Sequence, residues 1–201
     1  GFGRGDTRDI QLIAKSGATL GHTPYIYSRG GNYLHSLGEF LRQGANVGIG
    51  TDAYPMDMIQ EMRYAAIMGK IADSSARAVT ARDVFNAATL GGAKALGRDD
   101  LGRLAAGAKA DITVVDLTGL HVGLIDDPIK TMVYMASQRE VETVIVDGRV
   151  VVEGGRVPGV DEEALARQAN AVNQRQKARF IAQNPITQDV EALFPPSFPM
   201  E

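Results

Sequence analysis

Two short apolar runs, each ending in a polar side chain, constrain this chain more than any other feature. Ala18-Thr19-Leu20-Gly21-His22 is stopped by Pro24. Asn46-Val47-Gly48-Ile49-Gly50-Thr51-Asp52 is stopped by a turn at Tyr54-Pro55. Residues 9–16 read as a helix with Gly17 as its stop. Residues 23–33 read as a loop rich in Gly and Tyr. Leu34, Leu37 and Leu41 recur at the spacing of one helix face, so residues 34–43 are expected to be helical, with Gly44 ending them. Asp57 opens a further helix that runs to about Ala72. Helix, strand, helix, strand, helix is the order of a parallel sheet with crossover helices. In enzymes of that build, chemistry sits at the C-terminal ends of strands. One His and one Asp at two such ends suggest half of a metal site.

The rest of the chain divides by texture. Asp57 with Gln60, and Thr80 with Asp83, are spaced as helix N-caps. The second opens a helix over residues 84–89, which Gly91 and Gly92 interrupt before another turn over residues 93–96. Beyond Gly97 the sequence is turn-rich, then β-branched at Ile112-Thr113-Val114-Val115. Val141 to Val146 and Arg149 to Val152, joined by Asp147-Gly148, predict a hairpin. The expected division is therefore an α/β part over 1–97, a β unit over 98–158, and a polar helix with a Pro-rich tail over 159–201.

Bulk properties exclude several classes. A net charge of −3 gives no reason to expect nucleic acid or an anionic membrane as partner. No apolar run approaches the ~20 residues of a membrane span. Gly1-Phe2-Gly3-Arg4-Gly5 lacks the apolar core of a secretory leader, so a cytoplasmic location is the expectation. The absence of cysteine excludes disulfides and thiolate metal ligands. Gly48-Ile49-Gly50 is a weak signal for a phosphate loop, because no Lys-Ser/Thr follows and Thr51-Asp52 comes directly after the second Gly.

Four motifs, in order, carry a family resemblance. Gly21-His22-Thr23-Pro24 resembles the His-Cys-Pro turn after the sixth strand of the metal-dependent amidohydrolase superfamily, and Gly48-Ile49-Gly50-Thr51-Asp52 resembles the Leu-Gly-Thr-Asp at its eighth. The segment from Gly17 to Asp52 is thus similar to strands six to eight. The helix with Glu61-Met62-Arg63 is similar to that of the branch holding S-adenosylhomocysteine deaminases, guanine deaminases and triazine hydrolases. Leu101 to Asp111 resembles the return into the small β-sandwich of these enzymes, and Val146-Asp147-Gly148 its end.

The resemblance implies α/β architecture: the C-terminal part of a distorted (β/α)8 barrel plus part of a β-sandwich. It implies a zinc or iron cofactor in the full-length enzyme and hydrolysis of a C–N or C–halogen bond in a cyclic or amide-like small molecule. Asp52 matches the metal-binding Asp that takes a proton from the attacking water, and His22 matches the sixth-strand His, which polarises the substrate or bonds the hydroxide. A small-molecule substrate and a homo-oligomeric assembly are implied as partners. Arg29, a loop Arg beside a strand-end His, is a candidate for binding a carboxylate or ring oxygen of the substrate. Tyr54 is a candidate for lining the substrate mouth.

The departures are as informative. The chain holds three His, namely His22, His35 and His121, and no His-x-His pair. The first- and fifth-strand ligands of the family have no counterpart, and neither does its acid/base Glu. A catalytic zinc needs about three protein ligands, so this chain alone is expected to bind no metal stably and to be inactive. It is read as the C-terminal portion of a longer enzyme, needing a missing N-terminal segment or a second chain to complete the barrel. The alternative is a non-catalytic assembly or binding module of the same fold. Without the motif, Asp52 reads as a turn or helix cap. His35 and His121 read as structural or exposed, and Glu61 and Arg63 as members of structural pairs.

Overall fold

A computed structural model describes residues 6–35 and 37–198. The readings made for Gly1 to Gly5 and for Pro199 lie outside the described residues. Residues up to Val157 form one compact unit and those from Pro158 another.

The first unit opens with helix α1 (Thr7–Ser16), capped by the Asp6 carboxylate on the Arg8 N–H and ended by Gly17 at φ 74°. Strand β1 (Thr19–His22) follows. Residues 24–29 then form a helix, α2 (Pro24–Arg29), where a loop was expected. Helix α3 (Leu37–Arg42) is shorter than the leucine spacing predicts, and strand β2 (Asn46–Ile49) comes after it. β1 and β2 pair in parallel, with Thr19 opposite Asn46 and His22 opposite Ile49. Three strands were expected between Gly17 and Asp52; among the described residues there are two, hydrogen-bonded directly to each other. Helices α2 and α3 occupy the chain between them.

Helix α4 (Met58–Ala72) starts where its cap predicts, with the Asp57 carboxylate accepting from Gln60 N–H. Helix α5 (Ala81–Asn86) carries the full reciprocal cap of Thr80 and Asp83. A π turn over Ala87–Gly91 then leads into α6 (Gly92–Ala95), so the two glycines do not interrupt the helix. The turn brings Gly91 against β2, where Asn46 Nδ2 donates to Gly91 O (3.0 Å) and to Thr19 Oγ1 (2.7 Å).

Strands β3 (Ile112–Val115), β4 (Val141–Val146) and β5 (Arg149–Val152) form an antiparallel sheet in that order. Asp147 and Gly148 both have positive φ (47° and 78°), as a two-residue type I′ turn requires. The span read as β also contains a helix, α7 (Pro128–Met135), capped by Asp127 on the Ile129 and Lys130 N–H groups. Val133 and Ala136 are fully buried in one core with Ile10, Phe40, Val47, Ile59, Met62 and Val84. Burying each large aliphatic side chain contributes roughly 1.5–3 kcal/mol, so α7 belongs energetically with the helices around β2.

Polar side chains of α4 fix these contacts. The Arg63 guanidinium donates to Val133 O (3.0 Å) and to Ala136 O at the end of α7. Asp57 Oδ2 accepts the Gln138 N–H at 3.1 Å. Arg63 thus bonds backbone groups of α7, and Glu61 accepts the Tyr25 N–H of α2 (2.9 Å); among the described residues neither forms the side-chain pair expected of it. A cavity of about 790 Å³ lies between α4, α5 and the three-stranded sheet, with Met58, Met62, Phe85, Ile112 and Val144 in its lining.

In the second unit, helix α8 (Glu162–Gln183) is capped by Asp161 and a short α9 (Val190–Leu193) follows. The Phe180 and Phe194 rings meet edge to face at 5.9 Å. Among the described residues, no helix is long and apolar enough to cross a membrane.

Candidate active site

His22 ends β1 and is 4% exposed. Burial lowers its pKa from 6.5 to about 4, because desolvation penalises the imidazolium. The ring is therefore neutral at pH 7. Among the described residues, no hydrogen bond to its side chain is present.

Asp52 lies three residues beyond the end of β2 and is exposed. Its φ is 57°, in the left-handed region that non-glycine residues seldom occupy. Ala53 N–H donates to Thr51 O at 2.5 Å, so Asp52 is the centre of a three-residue turn, a strained arrangement at this sign of φ. Among the described residues, no hydrogen bond or ion pair engages its carboxylate.

The two residues leave the same edge. His22 faces Ile49 across the ladder, and Gly50 N–H donates to His22 O at 3.0 Å. The resemblance set them at the sixth and eighth strands. Direct pairing of β1 with β2 corrects this: they leave neighbouring strands. Arg29 is exposed at the last turn of α2, not in a loop, and makes no ion pair among the described residues. Tyr54 is 80% exposed just beyond Asp52.

The remaining histidines are elsewhere. His35 stacks on Tyr33 at 4.0 Å, ahead of α3 and not on it. His121 bonds Glu140 at 2.8 Å. Among the described residues, no group of three His, Cys, Asp or Glu side chains is placed to hold a metal ion. A tetrahedral zinc site uses about three protein donors, and His22 with Asp52 offers two at most. By themselves these residues do not fit a metal.

Glu61, expected in a structural pair on its helix, is instead buried. It is 1% exposed, and Oε2 accepts the Tyr25 N–H at 2.9 Å. Burial raises its pKa, the Tyr25 bond opposes that, and Asp57 adds to it. The available signal was positional: residue 61 falls beside the Met58-Met62-Ala65 face.

The buried imidazole sets an acid limit on the fold. A His whose folded pKa is depressed contributes stability that is whole above its ordinary value of 6.5 and is lost as pH falls towards 4. The loss amounts to about 3 kcal/mol. Glu61 acts oppositely, because a carboxyl with a raised folded pKa gains stability as it takes up its proton. Urea titrations of the parent and of His22→Gln separate the two. The variant is expected to lack the fall between pH 6.5 and 4, and a His22 ring titrating near 6.5 by NMR would contradict this.

Known proteins share this organisation. Residues 6–151 match the amidohydrolase family. A 5-methylthioadenosine/S-adenosylhomocysteine deaminase of Natronomonas pharaonis is 38% identical over 168 residues, covering 82% of this chain and 39% of the relative. The protein of the same name from Thermococcus kodakarensis is 37% identical over 150 residues, covering 73% of this chain and 35% of the relative. An adenosine deaminase from Xanthomonas campestris with bound zinc superposes with a TM-score of 0.81 at 29% identity, over 87% of this chain and 41% of that one. Atrazine chlorohydrolase TrzN from Arthrobacter aurescens, complexed with zinc, gives 0.72 at 27% identity, over 86% of this chain and 39% of that one. The chain thus spans about two fifths of the proteins it resembles. With a family match over most of its length and with these structural neighbours, the chain belongs to the amidohydrolase family.

Proposed function

We propose that this chain contributes one carboxylate, Asp52, to the active site of a metal-dependent hydrolase whose other metal donors lie on polypeptide outside it. The observation that carries the reading is the Asp52 turn. An exposed carboxylate, unpaired among the described residues, is held at φ 57° just beyond the C-terminal edge of a parallel strand pair, and non-glycine residues in that backbone region cluster at functional sites.

The relatives' names support a C–N or C–halogen bond on a nitrogen-containing ring as the point of attack. When bound, a zinc or iron ion brings the pKa of a water molecule near 7. The chain's own residues have separate parts. Asp52 would hold the metal together with donors outside this chain, and its carboxylate would accept a proton. His22, neutral and withdrawn from solvent, hydrogen-bonds the substrate. Arg29 and Tyr54, both exposed, meet its outer part. We further read residues 1–97 as the last part of a (β/α)8 barrel, 98–158 as part of a β-sandwich, and 159–201 as a peripheral helix and tail. Assembly into a homo-oligomer belongs to the same reading. The two-donor limit favours one alternative, a non-catalytic assembly or binding module.

Metal analysis decides between them. The purified chain is expected to hold no stoichiometric zinc. Joined to the upstream segment of a deaminase relative, it is expected to hold zinc in proportion to protein. Tight stoichiometric zinc in the chain alone would overturn the assignment of outside donors, and no zinc in the joined protein would favour the module.

A further inference from the structure

Helix α2 lies between two of the candidate site residues, with His22 two positions before it and Arg29 its last residue. It is a helix without its own N-terminal cap. Thr23, at the capping position, makes no side-chain cap bond. Pro24, the first residue, has no N–H to offer. The first N–H left without an intrahelical acceptor is that of Tyr25, and the acceptor it finds is Glu61, 36 residues later.

A carboxyl at 1% exposure is an expensive choice at this place. The neighbouring positions on α4 that face the core are Met62, Ala65 and Ala66, and an apolar side chain would pack there without a desolvation penalty. What an apolar chain cannot do is accept the Tyr25 N–H. The contact is reinforced by the Tyr25 ring, which meets Tyr64 of α4 edge to face at 5.1 Å, and by complete burial of Pro24. Glu61 Oε1 has no hydrogen-bond partner among the described residues, so the Tyr25 bond is the one specific interaction that the carboxyl makes.

We propose that Glu61 is a positioning residue: it caps α2 from a distance and so fixes the turn that presents His22 and Arg29. It rests on the functional reading only in treating those two as site residues. The bond fastens α2 to the helix that follows Asp52, so the His22 turn and the Asp52 turn are anchored to one element. Glu61 itself touches no substrate.

The test uses the 201-residue chain with no metal or substrate, so its failure is separate from failure of the hydrolase reading. Glu61→Met keeps the volume and removes the acceptor; Glu61→Gln keeps an acceptor oxygen and removes the charge. In Glu61→Met, the Tyr25 amide is expected to exchange with solvent roughly tenfold faster or more. The His22 ring resonances should shift, and the amides inside α4 should not change. Glu61→Gln is expected to restore both signals. Unchanged Tyr25 and His22 signals in Glu61→Met would overturn the proposal. So would a Glu61→Gln chain that loses the turn as fully as Glu61→Met. Exchange rising throughout α4 in Glu61→Met would also overturn it, because the carboxyl would then hold the core and not the turn.

Discussion

Replacing Asp52 by Asn in a zinc-loaded protein that joins this chain to the remaining donors is expected to lower turnover about a thousandfold or more. A bound metal supplies several kcal/mol of charge stabilisation, and each 1.36 kcal/mol is tenfold in rate. Asn is the informative replacement. Position 52 has φ 57°, which Asn tolerates about as well as Asp and Ala does not. Asp52→Asn therefore removes the charge and leaves the turn, whereas Asp52→Ala would mix the two losses. The fold should be unaffected, since no other described residue bonds the carboxylate. Zinc content should fall with turnover. By contrast, His22→Gln should reduce turnover while leaving most of the zinc in place. A joined Asp52→Asn protein within tenfold of the parent would remove Asp52 from the site.

Gly91→Ala is expected to destabilise the chain by about 3 kcal/mol or more, the upper end for overpacking. A Cβ at position 91 would lie 1.9 Å from Val47 O and 3.0 Å from Val47 C. Those are backbone atoms of β2, and no side-chain rotation relieves the clash. Nor can β2 retreat freely. Asn46, at its start, is hydrogen-bonded both to Gly91 O and to Thr19 of β1, and Val47 is 3% exposed in the core. Gly92 provides the control. A Cβ there meets nothing within 4 Å, so Gly92→Ala should be neutral or stabilise by roughly 0.5–1 kcal/mol through helix propensity. Urea unfolding of the two variants measures the contrast. Equal stabilities would mean that the π turn can shift away from the strand.

Elements that announce themselves locally were legible in the sequence. Asp57, Thr80 and Asp161 mark helix starts by their own side chains, and Asp147-Gly148 fixes the hairpin by a backbone preference. Asp127-Pro128 is an equally local signal for α7, a cap followed by proline, and it was masked by the β-branched runs on either side. Helix α2 was beyond local reading because its cap is supplied by Glu61, distant in sequence. The π turn was beyond it as well: Gly91 is glycine on account of Val47, which only the tertiary contact reveals. That His22 ends a strand and Asp52 follows one was legible from the apolar runs, although β2 stops at Ile49 and not at Thr51. That the two strands are immediate neighbours was not, because strand order is set by pairing and not by composition.

Asp57 has a mechanical consequence for the region around Asp52. One carboxylate oxygen holds the first turn of α4, and the other holds Gln138 just ahead of β4. One aspartate, five residues after Asp52, thereby staples the start of α4 to the segment that leads into the antiparallel sheet.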